Sequence, residues 1–146
     1  MIPQRLSLIT LGVADVARSR AFYEGLGWIS APFDSESVAF FDMHGVILSL
    51  FGREPLADDA HVPAAGSGFR AVAQAINLAS RAEVDAVLAE VAAKGGRIVK
   101  PAQEVFWGGY SGYFADPDDH LWEVAHNPFW PLDEQGRPQL PGHTAP

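Results

Sequence analysis

The sequence predicts an α+β fold made of two tandem βαβββ modules. Three observations carry that prediction. One order of elements, strand, helix, strand and hairpin, occurs twice along the chain, matched in length although not visibly in residue identity. The second copy holds a helix with a full start signal, Ser80 and Glu83, ahead of an apolar arc. That copy closes on residues 109–128, GYSGYFADPDDHLWEVAHNP, which alternate around Asp/Pro turn chemistry as a β-hairpin does.

Each element follows from its residues. Residues 6–12 (LSLITLG) are apolar and β-branched, a strand by propensity. Asp15 suits the N-cap of the next helix, where Val16, Ser19, Phe22, Tyr23 and Leu26 share one face and Gly25 and Gly27 mark the end. Residues 28–33 fit a short strand, and 37–43 with 46–51 fit a hairpin around His44-Gly45. Residues 53–68, polar and rich in Gly, Pro and Ala, read as a linker. A strand is expected within 69–78, then a helix with Val84, Val87, Leu88 and Val91 at i, i+3, i+4, i+7, stopped by Gly95-Gly96. Residues 97–102 supply a strand before the closing hairpin. The expected organisation is a first module over 1–52, the linker, a second module over 69–128 and a Pro-rich tail over 129–146. Five prolines in 127–146 forbid a helix or inner strand there, yet Phe129, Trp130 and Leu132 are too apolar for a free tail. Residues 128–132 are therefore expected to pack on the body, and the last residues to fray.

Composition removes several functions. The chain has 146 residues, 48% of them apolar, which suits one ordinary domain or two packed half-domains. It has no cysteine, so disulfides, thiolate metal sites and thiol nucleophiles are excluded. A formal net charge of −8 without a Lys/Arg cluster argues against nucleic acid and anionic membranes as partners. The first residues, MIPQRLSLIT, lack a signal-peptide pattern, and no apolar run approaches a membrane span. The expectation is a soluble, cytoplasmic protein.

In the closing hairpin Glu123 shares a strand face with Leu121 and Ala125. A carboxylate among apolar neighbours is a structural charge paired with a donor such as Gln74, Tyr110 or Arg70, or it belongs to a site. Phe106, Trp107, Tyr110 and Tyr113 lie among Gly108, Gly109 and Gly112. They read either as an aromatic wall with a glycine loop, suited to flat organic ligands, or as sheet packing with glycines at a turn or bulge. Trp122 falls on the opposite face from Glu123 and is expected in the core.

The stretches LGVADVARSRAFYEGLGW (11–28), EVDAVLAEVAAKGG (83–96) and FADPDDHLWEVAHNP (114–128) resemble the vicinal oxygen chelate superfamily. That group includes glyoxalase I, bleomycin-resistance proteins, fosfomycin-resistance enzymes and extradiol dioxygenases. The resemblance implies that the modules form a cup-shaped mixed sheet with helices outside and the ligand in the cup. It also implies homodimers, with modules paired within a chain or across two. Where the family commonly has Gly in the last turn, this chain has Asp119.

The family's chemistry usually rests on a divalent metal, held by the first and last strand of each module. Carried over residue by residue, the ligand positions fall on Leu8, Leu48, Ala73 (or Gln74 with a one-residue slip) and Glu123. Leucine and alanine cannot ligate, and one carboxylate does not hold Mg²⁺, Mn²⁺ or Zn²⁺ tightly. Of the five histidines, His44, His61, His120, His126 and His143, none converges on Glu123 by pattern. No metal and no cofactor are expected. Leu8, Leu48, Leu50, Ala73, Gln74, Phe106, Trp107, Tyr110 and Tyr113 are the expected substrate-binding residues, with Glu123 the candidate catalytic group. The resemblance then implies a glyoxalase-like protein binding a small apolar or aromatic molecule. Its rivals are a metal-free lyase or isomerase using Glu123 as acid/base, a drug-sequestering resistance protein, and a divalent-metal glyoxalase or dioxygenase-type enzyme.

Overall fold

The computed structural model describes residues 1–2, 4–32 and 35–142. The chain divides into two compact units, Met1–Arg70 and the residues from Ala71 onward. Among the described residues no helix is long and apolar enough to cross a membrane.

The first unit contains β1 (Leu8–Val13), α1 (Val16–Gly25), β2 (Val38–Asp42), β3 (Ile47–Gly52) and α2 (Arg53–Asp59). Asp15 caps α1, its carboxylate accepting from the Arg18 N–H at 3.0 Å. The sheet order is β1-β3-β2, with β1 parallel and β2 antiparallel to β3. Leu11, Leu50 and Ala39 align across the three strands, and Leu48 opposes Phe41. These residues are buried, and the Tyr23 ring of α1 meets Phe41 edge-on at 5.9 Å. That face is the core of the unit.

Two expectations change here. The strand expected over 28–33 is only an isolated bridge, Ser30 to Phe41; its Phe33 lies outside the described residues. Trp28 stacks on Tyr23 at 5.2 Å and the Ser30 hydroxyl donates to Glu24 at 2.6 Å, so the segment is tied to α1 rather than to a ladder. Pro32 then withholds a ladder donor. The expected linker opens with α2, in which Pro55 occupies the first turn, where its missing N–H costs nothing. Arg53 binds the rest of that segment back, donating to the Ala64 carbonyl at 2.7 Å and the Gly66 carbonyl at 2.9 Å.

The second unit contains β4 (Ala73–Asn77), α3 (Arg81–Ala93), β5 (Arg97–Glu104), β6 (Tyr110–Ala115) and β7 (Leu121–His126). Its sheet order is β4-β7-β6-β5, parallel only between β4 and β7. The expected capping box forms: the Ser80 hydroxyl accepts from the Glu83 N–H at 3.2 Å, and the Glu83 carboxylate accepts from the Ala79 N–H at 2.8 Å. Val84, Leu88 and Val91 bury the apolar face of α3. Phe114, Trp122 and Val124 are buried on the sheet face beneath it, with Trp122 stacked on Phe114 at 6.2 Å. In the hairpin turn Asp116 accepts from the N–H groups of Asp118 and His120, both at 2.9 Å. Asp119 has φ 65°, the left-handed conformation for which Gly is the usual choice.

The fold is the α+β arrangement expected, with two mixed sheets and a packed helix on one face of each. Residues 128–131, expected to pack on the body, are exposed, and the tail turns back through an isolated bridge between Leu132 and Pro138. Asp133 accepts from the N–H groups of Gln135 and Arg137, which with the Arg137 guanidinium hold its carboxyl below the usual range despite some desolvation. The fraying expected at residues 143–146 lies outside the described residues.

Candidate functional site

The side chains of a strand alternate between faces, so on β7 Leu121, Glu123 and Ala125 point away from the face that carries Trp122 and Val124 under α3. The ladder fixes what stands beside Glu123. Ala75 of β4 opposes it on one side and Tyr113 of β6 on the other. Lys100 of β5 follows in the same row, opposite Tyr113.

Tyr113 stands beside Glu123 across the β6–β7 ladder. Burial, then the negative charge of Glu123, and last hydrogen bonding toward it raise the Tyr113 pKa above its ordinary 10.0. At neutral pH the phenol therefore keeps its proton. The polar neighbour of Glu123 on this face is thus Tyr113, while Gln74 and Tyr110 lie on the other.

Above this pair lies an open pocket of about 490 Å³. Ala75, Glu123 and Ala125 form its sheet side. Trp107, Phe129 and Trp130 supply aromatic walls, and Asn77 and Asn127 supply neutral amides.

Local sequence explains how the walls arise. Residues 105–109 form a turn in which Val105 N–H donates to the Gly109 carbonyl at 3.1 Å and Gly108 N–H donates to the Val105 carbonyl at 3.0 Å. Gly108 has φ +90°, and a Cβ there would lie 2.9 Å from Phe129 Cε2. A Cβ on Gly109 would lie 1.7 Å from Trp107 Cζ3, so the indole occupies the space that this glycine leaves. The tail enters through Asn127, whose side chain accepts from the Phe129 N–H at 3.0 Å and whose carbonyl accepts from the Trp130 N–H at 3.2 Å.

The expected site residues separate into groups. Glu123 and Trp107 line the pocket, and Tyr113 stands beside Glu123. Ala73 shares their face but opposes Leu121, one row away. Gln74 opposes Trp122 on the α3 face, so the one-residue slip puts it behind the sheet. Tyr110 is also on that face: its hydroxyl donates to Asp85 at 2.7 Å, which with desolvation raises its pKa, and Arg81 lies over its ring at 5.3 Å. Phe106 projects fully into solvent at the tip of the 105–109 turn. In the first unit Leu8 opposes Ile47, not Leu48, and is exposed. Leu48 and Leu50 are core residues beneath α1, because register puts them on the face opposite to Leu8.

Pattern alone missed Ala75, Asn77, Asn127, Phe129 and Trp130. The apolar tail residues were expected against the body, not as pocket walls, and β4 could not be aligned on β7 without its pairing register.

The four described histidines do not gather on Glu123. The His44 N–H donates to Asp42 at 2.9 Å in the β2–β3 turn, and His61 follows α2. His120 lies in the β6–β7 turn, and His126 pairs its Nδ1 with the Leu78 carbonyl at 3.1 Å. His143 lies outside the described residues. Among the described residues no three His, Asp or Glu side chains group to hold a metal ion.

Comparison with known proteins agrees with this architecture. Residues 5–124 match the family model described as Glyoxalase/Bleomycin resistance protein/Dioxygenase superfamily. A glyoxalase-related enzyme from Fulvimarina pelagi is 35% identical, with a TM-score of 0.86 over 94% of this chain and 99% of that one. The fosfomycin resistance protein FosX from Listeria monocytogenes is 26% identical, with a TM-score of 0.66 over 86% of this chain and 95% of that one. A lactoylglutathione lyase from Agrobacterium tumefaciens, 22% identical, shares the fold with a TM-score of 0.67 over 90% of this chain and 100% of that one. No curated protein matches the sequence significantly.

Proposed function

The chain belongs to the glyoxalase/bleomycin resistance protein/dioxygenase superfamily, and from that premise we propose that it binds a small apolar or aromatic molecule in the pocket of its second unit, without the family's divalent metal. One observation carries the reading: Glu123, the one carboxylate among the described lining residues, stands beside Tyr113 at the base of a pocket of about 490 Å³ walled by Trp107, Phe129 and Trp130. Ligand pockets of roughly 300–1,000 Å³ are typically apolar with a few convergent polar groups, and this one has that character.

The donor set does not fit the metal that the fold family implies. Across the second sheet Glu123 is flanked by Ala75 and by a phenol that stays protonated. In the first unit the face that carries Leu8 offers the hydroxyls of Thr10 and Ser49 and the carboxylate of Asp42, which accepts the His44 N–H. Hard and borderline cations need several carboxylate or imidazole ligands at one point. Stoichiometric divalent metal in protein purified without chelator, lost in Glu123→Gln, would overturn this part of the reading.

Binding itself is tested by saturation-transfer NMR with 2-naphthol, a neutral aromatic probe. Transfer is expected in the native protein and strongly reduced in Trp107→Ala. Equal transfer in both would refute the pocket.

The direction of Glu123 into the pocket favours one further role. Glu123 would accept a proton from a bound substrate and return it, while Tyr113 orients the carboxylate. Turnover of a bound compound unchanged by Glu123→Gln would eliminate this role. Stoichiometric binding without product would favour sequestration. A homodimer is part of the proposal, and a monomer by light scattering would count against it.

A further inference from the structure

We propose that this pocket selects organic cations, namely amines or quaternary ammonium ions carrying an apolar body. The inference rests on the binding reading above and adds the charge of the ligand. Among the described residues lining the pocket Glu123 alone is ionisable; the others are alanines, asparagines and aromatics. Among the described residues no Lys, Arg or His side chain lines it. Tyr113, the ladder neighbour of Glu123, stays neutral and adds no positive charge beside it. Lys100 lies in the same sheet row but beyond Tyr113, two strand spacings of about 4.8 Å each from Glu123, and outside the lining.

The walls favour the same charge. Aromatic faces carry negative quadrupole density and attract cations, Trp most strongly, and two of the three walls are Trp. Phe129 and Trp130 remain 62% and 37% exposed, so apolar ring surface is available for a ligand to cover. A formal net charge of −8 adds a long-range field of the same sign. An anionic ligand would meet Glu123 with no cation among the described lining residues to offset it. A neutral ligand gains the ring contacts but no charge pairing. A cation with an apolar body gains both, while Asn77 and Asn127 offer amide oxygens to N–H groups.

The experiment uses the full chain and an isosteric pair, benzyltrimethylammonium and neopentylbenzene, which differ by N⁺ against C. Each is titrated against bound 2-naphthol, and displacement is followed by saturation-transfer NMR. The cation is expected to displace the probe at least tenfold more effectively than its neutral isostere. Glu123→Gln, checked for folding by thermal melting, is expected to cut that ratio below threefold. Equal displacement by the two compounds in the native protein, with 2-naphthol bound, would overturn the cation preference and leave the binding reading standing. Failure of 2-naphthol itself to bind would overturn both. The native comparison needs no variant, so a misfolded Glu123→Gln cannot rescue the proposal.

Discussion

Replacing Gly109 by alanine should empty one wall of the pocket. The new Cβ would lie 1.7 Å from Trp107 Cζ3 and 1.9 Å from Cη2, where real Cβ contacts essentially never fall below 3.0 Å. The indole must therefore retreat by more than 3.0 − 1.7 = 1.3 Å. Gly109 is not among the glycines with positive φ, so the cost is steric rather than conformational. Overpacking of this kind costs about 1–3 kcal/mol when the ring is confined. At roughly 2–4 °C per kcal/mol for a chain of this size, the middle of that range lowers Tm by about 4–8 °C. Loss of an aromatic anchor weakens a ligand by about tenfold or more. The assay is 2-naphthol binding beside a thermal melt. Gly112→Ala is the control: its Cβ would meet Leu88 Cδ1 at 2.7 Å and the backbone of Lys100 and Ala102 at 2.8 and 2.9 Å, on the α3 face. Backbone cannot swing aside, so this variant should lose more stability while keeping the pocket walls. Unchanged 2-naphthol affinity in Gly109→Ala would refute the placement of Trp107.

Three further outcomes follow from the same geometry. Glu123→Gln should lower the Tyr113 pKa toward its ordinary 10.0 by removing a negative neighbour, measured by ultraviolet titration with Tyr113→Phe identifying the transition. Because the folded pKa lies above the unfolded one, this tyrosine's contribution to stability is complete below about pH 10 and is lost as pH rises through the folded value; Glu123→Gln should shrink that alkaline loss. Tyr110→Phe should leave 2-naphthol affinity unchanged and cost at most about 1 kcal/mol by chemical denaturation, since its partner Asp85 is exposed. Asp119→Gly should change stability by less than about 1 kcal/mol, because relief at φ 65° offsets loss of the exposed Arg97 ion pair at 2.8 Å.

The sequence was most legible where local signals agreed. The Ser80–Glu83 box, the apolar arc of α3 and the Asp116 turn each write their geometry within a few residues, and all appear as read. The parity argument on β7 was also local, and it correctly set Glu123 apart from Trp122. Failures came where the answer depends on pairing between distant strands. Carry-over from the family puts Leu8 and Leu48 in one site, yet β1 and β3 pair Leu8 with Ile47, and one residue of register turns every side chain to the other face. The same step separates Ala75, beside Glu123, from Gln74, beside Trp122. Helix α2 was hidden because Gly52 and Pro55 resemble loop punctuation, although Pro is tolerated in a first helical turn. Phe129 and Trp130 were expected against the body, but their position depends on the Asn127 turn, and that of Phe129 on Gly108, which faces its ring.

The central claim is that the second unit holds a binding pocket at Glu123 with Trp107 and Trp130 in its walls. The chain has four tryptophans, so its indole N–H signals give a direct test by two-dimensional NMR. Trp107 and Trp130 line the pocket, whereas half-buried Trp28 stacks on Tyr23 in the first unit and Trp122 on Phe114 in the core of the second. Titration with 2-naphthol should move the Trp107 and Trp130 signals together and leave those of Trp28 and Trp122 in place. Shifts confined to Trp28 or Trp122, or no shift in any of the four at saturating probe, would contradict the account.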